Sequence, residues 1–156
     1  MKVKGWRIDD RYIHGQITTA WTRTLGVTFI LIVSDQVKND PTQEMVMQFA
    51  APQGVRVQVL SVSEAPARIR DDAGDALVIF GNPSDVLALV NAGVQIDNLV
   101  IGNMKYTKGK HQILHTVSVD DKDLQTLRSL LALRVRLTVQ QVPESAATDL
   151  SSYLED

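Results

Sequence analysis

Phe29-Ile30-Leu31-Ile32-Val33 is short, continuous and rich in β-branched side chains. A strand with one face in water alternates apolar and polar residues, whereas a strand covered on both faces does not. The run therefore reads as an interior strand between two layers. Working outward, Ala76-Leu77-Val78-Ile79-Phe80 and Leu99-Val100-Ile101 have the same character. Val3 to Ile8 reads as a first strand. Val55 to Leu60 alternates at Val55, Val57 and Val59, and Val135 to Val142 places Val135, Leu137 and Val139 on one face.

Helical signals fill the gaps. Gly15 to Leu25 follows the first strand. Asp40-Pro41 reads as an N-cap with proline in the first turn, opening a helix toward Phe49. Asn82-Pro83-Ser84-Asp85 repeats that signature ahead of Val86, Leu87 and Val90. Ser118 is read as the cap of a helix whose Leu124, Leu127, Leu130 and Leu131 form one stripe, and Ser145 to Leu154 as a terminal helix. Alternating strands and helices with continuous apolar strands predict an α/β protein. The expected form is a three-layer α/β/α arrangement with a mostly parallel central sheet, residues 1–156 making one domain. Ligands of such sheets bind beyond the carboxyl ends of the strands. Five loops should gather there: Asp9 to His14, Ser34 to Asn39, the turn around Ser61, Gly81 to Pro83, and Gly102 to Gly109.

Composition narrows the function. The 156 residues are 44% hydrophobic and 22% charged, with a net charge of -2 and no cysteine. No basic block points to nucleic acid. The missing cysteine removes disulfides, thiolate zinc sites and thiol nucleophiles together. Met1 to Trp6 lacks the apolar core of a signal peptide, and the apolar runs are too short to span a bilayer. No G-x-G-x-x-G follows the first strand. Gly102-Asn103-Met104-Lys105-Tyr106-Thr107-Lys108-Gly109-Lys110 places six residues between its glycines where a phosphate loop has four, and His111 stands where a Ser or Thr belongs. His111 and His115 have the i, i+4 spacing of helical metal ligands, but the surrounding residues oppose a helix, so they read as exposed loop histidines. No metal site is expected.

The informative stretch is Arg7-Ile8-Asp9-Asp10-Arg11-Tyr12-Ile13-His14-Gly15-Gln16, a strand-to-helix loop with two acids, two arginines and a histidine. A phosphoryl carrier needs a neutral imidazole near pH 7, a group that fixes the ring tautomer, and donors for the phosphoryl oxygens. Asp10 or a backbone carbonyl suits the second role. Arg11 and the helix N-terminus after Gly15 suit the third. Plainer readings stand beside these. A loop histidine is more often a surface residue than a catalyst. Arg7 and Asp9 read equally as a surface pair or as site residues. Asp10 could merely orient Arg11 or cap the helix, Gln16 reads as a first-turn residue, and Trp21 reads as core. Ser34-Asp35 and Asn82 to Asp85 read as loop and cap chemistry.

The stretch from Arg7 to Gln16 is similar to the R-I-D-x-R-[LF]-I-H-G-Q signature of mannose/sorbose-family IIB components of the bacterial sugar phosphotransferase system, with Tyr12 in place of Leu or Phe. Val33-Ser34-Asp35, Asn82-Pro83-Ser84-Asp85, Ile101-Gly102-Asn103-Met104, Val117-Ser118-Val119 and Gln141-Val142-Pro143 resemble further family elements, in order along nearly the whole chain. The resemblance implies a phosphotransferase. His14 would accept a phosphoryl group from a phosphohistidine on a cognate IIA, itself charged from phosphoenolpyruvate through enzyme I and HPr. It would then pass the group to a hexose or related sugar moving through the membrane IIC and IID subunits. No cofactor is implied beyond the covalent phosphohistidine. His14, Arg11 and Asp10 are the expected catalytic residues, and Gly15, Gln16, Ser34, Asn82 and Gly102 the expected phosphate-site residues. The location implied is the cytoplasmic face of the membrane, and the start at Met1 suggests a chain separate from IIA. Most other IIB classes use a cysteine, which this chain lacks. Departures are Arg134 where glycine is common before the last strand, Asn103 where a second glycine is common, and Thr107 in a stretch that often holds a basic residue. Two rivals remain: a nucleotide- or flavin-binding module without a covalent intermediate, and a sensor that keeps the fold and only contacts IIA.

Overall fold

A computed structural model describes residues 1–71 and 74–155 of the protein. The chain runs β1 (Lys2–Asp9), α1 (Gly15–Leu25), β2 (Phe29–Val33), α2 (Asp35–Lys38), α3 (Pro41–Phe49), β3 (Arg56–Leu60), α4 (Ala65–Arg70) and β4 (Asp75–Phe80). It continues through α5 (Pro83–Asn91), β5 (Asn98–Asn103), a hairpin of β6 (His111–Leu114) and β7 (Val117–Val119), α6 (Asp121–Ala132), β8 (Arg136–Val139), β9 (Thr148–Asp149) and a 3-10 turn at Ser151–Leu154. The seven-stranded sheet has the order β3-β2-β4-β1-β5-β8-β9. Its pairs are parallel except β8–β9, which is antiparallel.

The continuous apolar strands are explained by two cores. Leu31 and Val33 join Ile8, Val78, Phe80, Leu99 and Ile101 under α4, α5 and α6, where Ile69, Val86, Leu89, Leu127 and Leu130 meet them. Ile30 and Ile32 join Leu77 and Ile79 on the opposite face, against Trp21 of α1, Val37 of α2 and Met47 of α3. The three-layer architecture thus follows from strands with no polar face. Asp40 accepts from the Thr42 and Gln43 amides, and Asn82 accepts from the Asp85 amide, so both expected caps open their helices.

Three expectations change. Ser118 lies inside β7, and the cap of α6 is Asp120, whose carboxylate accepts from the Asp123 amide at 2.8 Å while the Asp123 carboxylate accepts from the Asp120 amide at 3.1 Å. Residues 145–154 form no α-helix. Thr148 and Asp149 pair with β8, and the Leu150 amide donates to the Leu137 carbonyl, leaving one 3-10 turn at the end. The last parallel strand stops at Val139, because the carbonyls of Gln140 and Gln141 turn away to a buried arginine. The short α2 and α4 and the β6–β7 hairpin carry too little periodicity to be read from sequence.

The end of α6 explains the departure at position 134. The Arg134 amide donates to the Leu131 carbonyl and the Val135 amide to the Leu130 carbonyl, with Arg134 at φ 67°. This is a Schellman stop, which favours glycine because a Cβ crowds the left-handed conformation. At the end of α1 the equivalent place is held by Gly26 at φ 67°. Arg134→Gly should therefore stabilise the protein by about 0.5–1 kcal/mol. Urea unfolding should show this as a higher midpoint at unchanged slope, and a lower midpoint would overturn it.

Candidate functional site

The strand order puts β1 between β4 and β5, so the loop after β1 opens between the loops that follow those two strands. Asp9, at the end of β1, is only 1% exposed. Its Oδ1 accepts from the Arg11 amide at 2.9 Å and from Arg11 Nε at 3.3 Å, while its carbonyl accepts from the Tyr12 amide at 2.9 Å. The carboxylate thereby winds the loop and holds the Arg11 guanidinium beside His14. Arg11 Nη1 lies 3.0 Å from His14 Nε2. A guanidinium can only donate, so Nε2 is the acceptor and the neutral ring carries its proton on Nδ1. Arg11 Nη2 is buried without an acceptor.

His14 is exposed immediately before α1, and its amide donates to Thr18 Oγ1 at 2.7 Å. Gly15 has φ +47°, and a Cβ there would meet nothing within 4 Å. Glycine is thus needed for the turn itself rather than for space. Gln16 is exposed in the first turn. A groove of about 810 Å³ lies elsewhere, lined by residues such as Gly5, Leu25, Val100 and Gln140, and His14 is not among them. The histidine stands on an open surface.

The flanking residues hold this loop rather than touch the ring. Asp10 accepts from Asn103 Nδ2 and from the Lys105 amide, both at 2.7 Å, so its carboxylate ties the His14 loop to the end of β5. The expectation that Asp10 orients His14 or Arg11 is corrected: Asp9 holds Arg11, and Asp10 holds the neighbouring loop. Ser34 caps α2 through the Val37 amide and accepts the Tyr12 hydroxyl at 2.9 Å. Tyr12 sits at φ 61° with its ring buried, and burial pushes its phenol above the ordinary range. A Cβ on Gly81 would lie 2.2 Å from the Tyr12 hydroxyl oxygen, so glycine there makes room for it. Asn82 caps α5 and is exposed. Ser34 and Asn82 therefore act through Tyr12 and through a helix start, without contacting the ring.

Arg7 and Asp9 are not a surface pair, since Arg7 is 3% exposed. Arg7 donates from Nη1 to the Gln140 carbonyl and from Nη2 to the Gln141 carbonyl, each at 2.9 Å. Its guanidinium lies 4.9 Å from the centre of the Trp21 ring, and Trp21 Nε1 donates to the same Gln141 carbonyl at 2.9 Å. Trp21 is core, as expected. Burial pulls the Arg7 pKa down to about 10, against the attraction of Asp9, so the group is still charged at neutral pH. Gly102 belongs to this arrangement, because a Cβ there would lie 2.0 Å from Arg7 Nη2. Gly102→Ala should cost about 2–3 kcal/mol by displacing a buried charge from its acceptors. A thermal melt would show the loss, and an unchanged midpoint would show that Arg7 has another place to go.

The sequence reading left Asp9 open between a surface pair and a site role, and missed Thr18, Tyr12, Gly81 and Asn103 as supports of the loop. The spacing of Asp9 two residues before Arg11, and of Thr18 four after His14, carried the signal for the first two. His111 and His115 are exposed on the β6–β7 hairpin, and among the described residues no group of three or more His, Asp or Glu side chains could hold a metal.

A sequence model of the sorbose-subfamily IIB component of the phosphotransferase system (PTS) matches residues 3–156. The chain belongs to this family. It is 37% identical to the sorbose-specific EIIB component of Klebsiella pneumoniae, over 100% of this chain and 97% of that protein. It is equally 37% identical to the mannose-specific EIIAB component of Escherichia coli K12, over 96% of this chain but 48% of that longer protein. The crystal structure of the IIBSor domain of the K. pneumoniae sorbose permease superposes with a TM-score of 0.94 at 36% identity, covering 99% of this chain and 96% of that one. As a PTS IIB component the chain is a phosphotransferase that takes part in sugar transport. No helix among the described residues is long and apolar enough to cross a membrane.

Proposed function

We propose that this IIB component carries the phosphoryl group on His14, taking it from a phosphohistidine of a cognate IIA and delivering it to a sugar at the membrane IIC/IID permease. The observation that carries the reading is the exposed His14 ring bonded to Arg11, which the buried Asp9 holds. A lone pair of the ring attacks phosphorus in line, the donor's N–P bond breaks, and that electron pair returns to the donor imidazole. Arg11 offers its guanidinium donors to the equatorial oxygens, with Nη1 already 3.0 Å from the ring. The first amides of α1 have no intrahelical acceptors, and together with the helix dipole they favour the negative charge. In delivery the N–P bond to His14 breaks, a sugar oxygen bonds to phosphorus, and the hydroxyl proton goes to the released imidazole nitrogen. The covalent phosphohistidine is the intermediate, and no further cofactor enters this scheme.

The open surface around His14 suits a site used in turn by IIA and by the permease, and in this reading the protein works at the cytoplasmic face of the membrane. Residues 1–156 act as one unit in this reading. Relatives named for sorbose, mannose, fructose and N-acetylgalactosamine share 33–37% identity with the chain, so overall similarity does not track the sugar. The test is transfer of labelled phosphate from phosphoenolpyruvate through enzyme I, HPr and a cognate IIA. Label that is acid-labile, base-stable and mapped to the His14 peptide is the expected result. An unlabelled chain beside charged upstream proteins would overturn the proposal and favour the sensor.

A further inference from the structure

The five loops at the carboxyl edge of the sheet are unevenly charged. In spatial order they follow β3, β2, β4, β1 and β5. The first three carry Glu64, Asp35 and Asp85. Glu64 is exposed and held ionised below the ordinary carboxylate range by the Ser61 amide and hydroxyl. Asp35 is exposed and accepts from the Val62 amide at 2.8 Å. Asp85 is half-buried, and burial and the charge of Asp35 push its pKa up. Lys38 and Lys122 are the cations that face this group. On the other side of His14, residues 104–119 contain Lys105, Lys108 and Lys110, His111 and His115, and no acid. Lys110 is paired with Asp123 at 3.3 Å, Asp120 and Asp123 are bonded to each other's amides, and Asp121 is exposed in the same turn. Lys105 and Lys108 are exposed, with Tyr106 between them 66% exposed. Asp10, bonded to Asn103 and the Lys105 amide, fixes this cationic loop to the His14 loop.

We infer that this rim is a two-signed docking surface that orients the phosphoryl-donor protein, taking an acidic patch over Lys105, Tyr106 and Lys108 and a basic patch over Asp35, Glu64 and Asp85. The inference rests on the proposed role of His14. In-line transfer demands that two imidazoles meet at one angle. An open surface with a single central histidine leaves the partner free to rotate about the approach axis. Two opposite poles on either side of that axis remove the freedom and raise the encounter rate. Tyr106 supplies a large contact at low entropic cost beside the lysines. An anionic membrane would attract the lysine pole, but it would repel the acidic pole on the same rim.

The experiment is steady-state phosphoryl transfer from phosphorylated cognate IIA, comparing wild type with the double variant Lys105→Glu, Lys108→Glu, and separately with Asp35→Asn, which retains an acceptor for the Val62 amide. At low salt the double variant should raise KM about tenfold or more with kcat unchanged, and Asp35→Asn should raise it by a smaller factor. The wild-type KM should climb with added salt, since exposed charges are screened beyond about 8 Å at physiological ionic strength, while that of the double variant should climb less or fall, because salt also screens the repulsion its glutamates introduce. Equal KM values and parallel salt curves would overturn the inference. So would an unchanged KM accompanied by lost sedimentation with vesicles containing phosphatidylserine, which would assign the lysines to the membrane. A wild type that takes no label at all would instead defeat the role of His14.

Discussion

His14→Ala should take up no phosphate from charged IIA while melting at the wild-type temperature. The ring is exposed, and its hydrogen bond is to Arg11, itself still held by Asp9 when the ring is gone. The backbone part of the residue is untouched, because its amide donates to Thr18 Oγ1 whatever the side chain. Exposed substitutions of this kind stay within about 0.5 kcal/mol. A phosphoryl label and a calorimetric scan on the same preparation check both halves. Label retained by the variant would move the carrier to another group. His111 and His115 come first, because the chain has 3 histidines.

Arg11→Ala should slow transfer by about 10²–10³-fold, the effect of removing one preorganised donor from a developing anion. Arg11→Lys should recover only part of that rate. A lysine is a point charge, and one ammonium cannot bond Asp9 Oδ1 and still present a fork to the ring. The alanine variant also costs stability, about 1–3 kcal/mol, because Asp9 is buried and keeps only the Arg11 amide of its two bonds from that residue. Quenched-flow measurement of a single turnover separates this rate loss from weaker IIA binding. Equal single-turnover rates in variant and wild type would remove Arg11 from the mechanism.

Much of the fold is legible where a local rule and the tertiary structure agree. Phe29 to Val33 is apolar throughout because Leu31 and Val33 feed one core and Ile30 and Ile32 the other. Asp40 and Asn82 cap helices that their sequences announce. Legibility ends where long-range partners decide. Nothing near Arg7 in sequence says that its acceptors are two carbonyls more than 130 residues away. Nothing near Asp10 says that Asn103 and Lys105 will claim it before Arg11 or His14 can. Ser118 and Asp120 are both chemically acceptable caps, and the pairing of Val117–Val119 with the hairpin selects the second. At the C-terminus, pairing of Thr148 and Asp149 with β8 wins over a helix that neither caps nor stripes strongly support.

The tether between Arg7 and the Gln140–Gln141 carbonyls also dictates when this protein can finish folding on the ribosome. β1 is made before its neighbours β4 and β5, and the acceptors for its arginine emerge more than 130 residues after it. At about 5–20 residues per second, the guanidinium waits in water for about 7–27 s of synthesis before it has an interior destination. A nascent chain halted at Val139 would have to bury a cation without its two carbonyl acceptors or leave its central strand undocked. Within this domain the first strand is thus the last to be locked, and the Gln140–Gln141 segment acts as the clasp that closes the sheet.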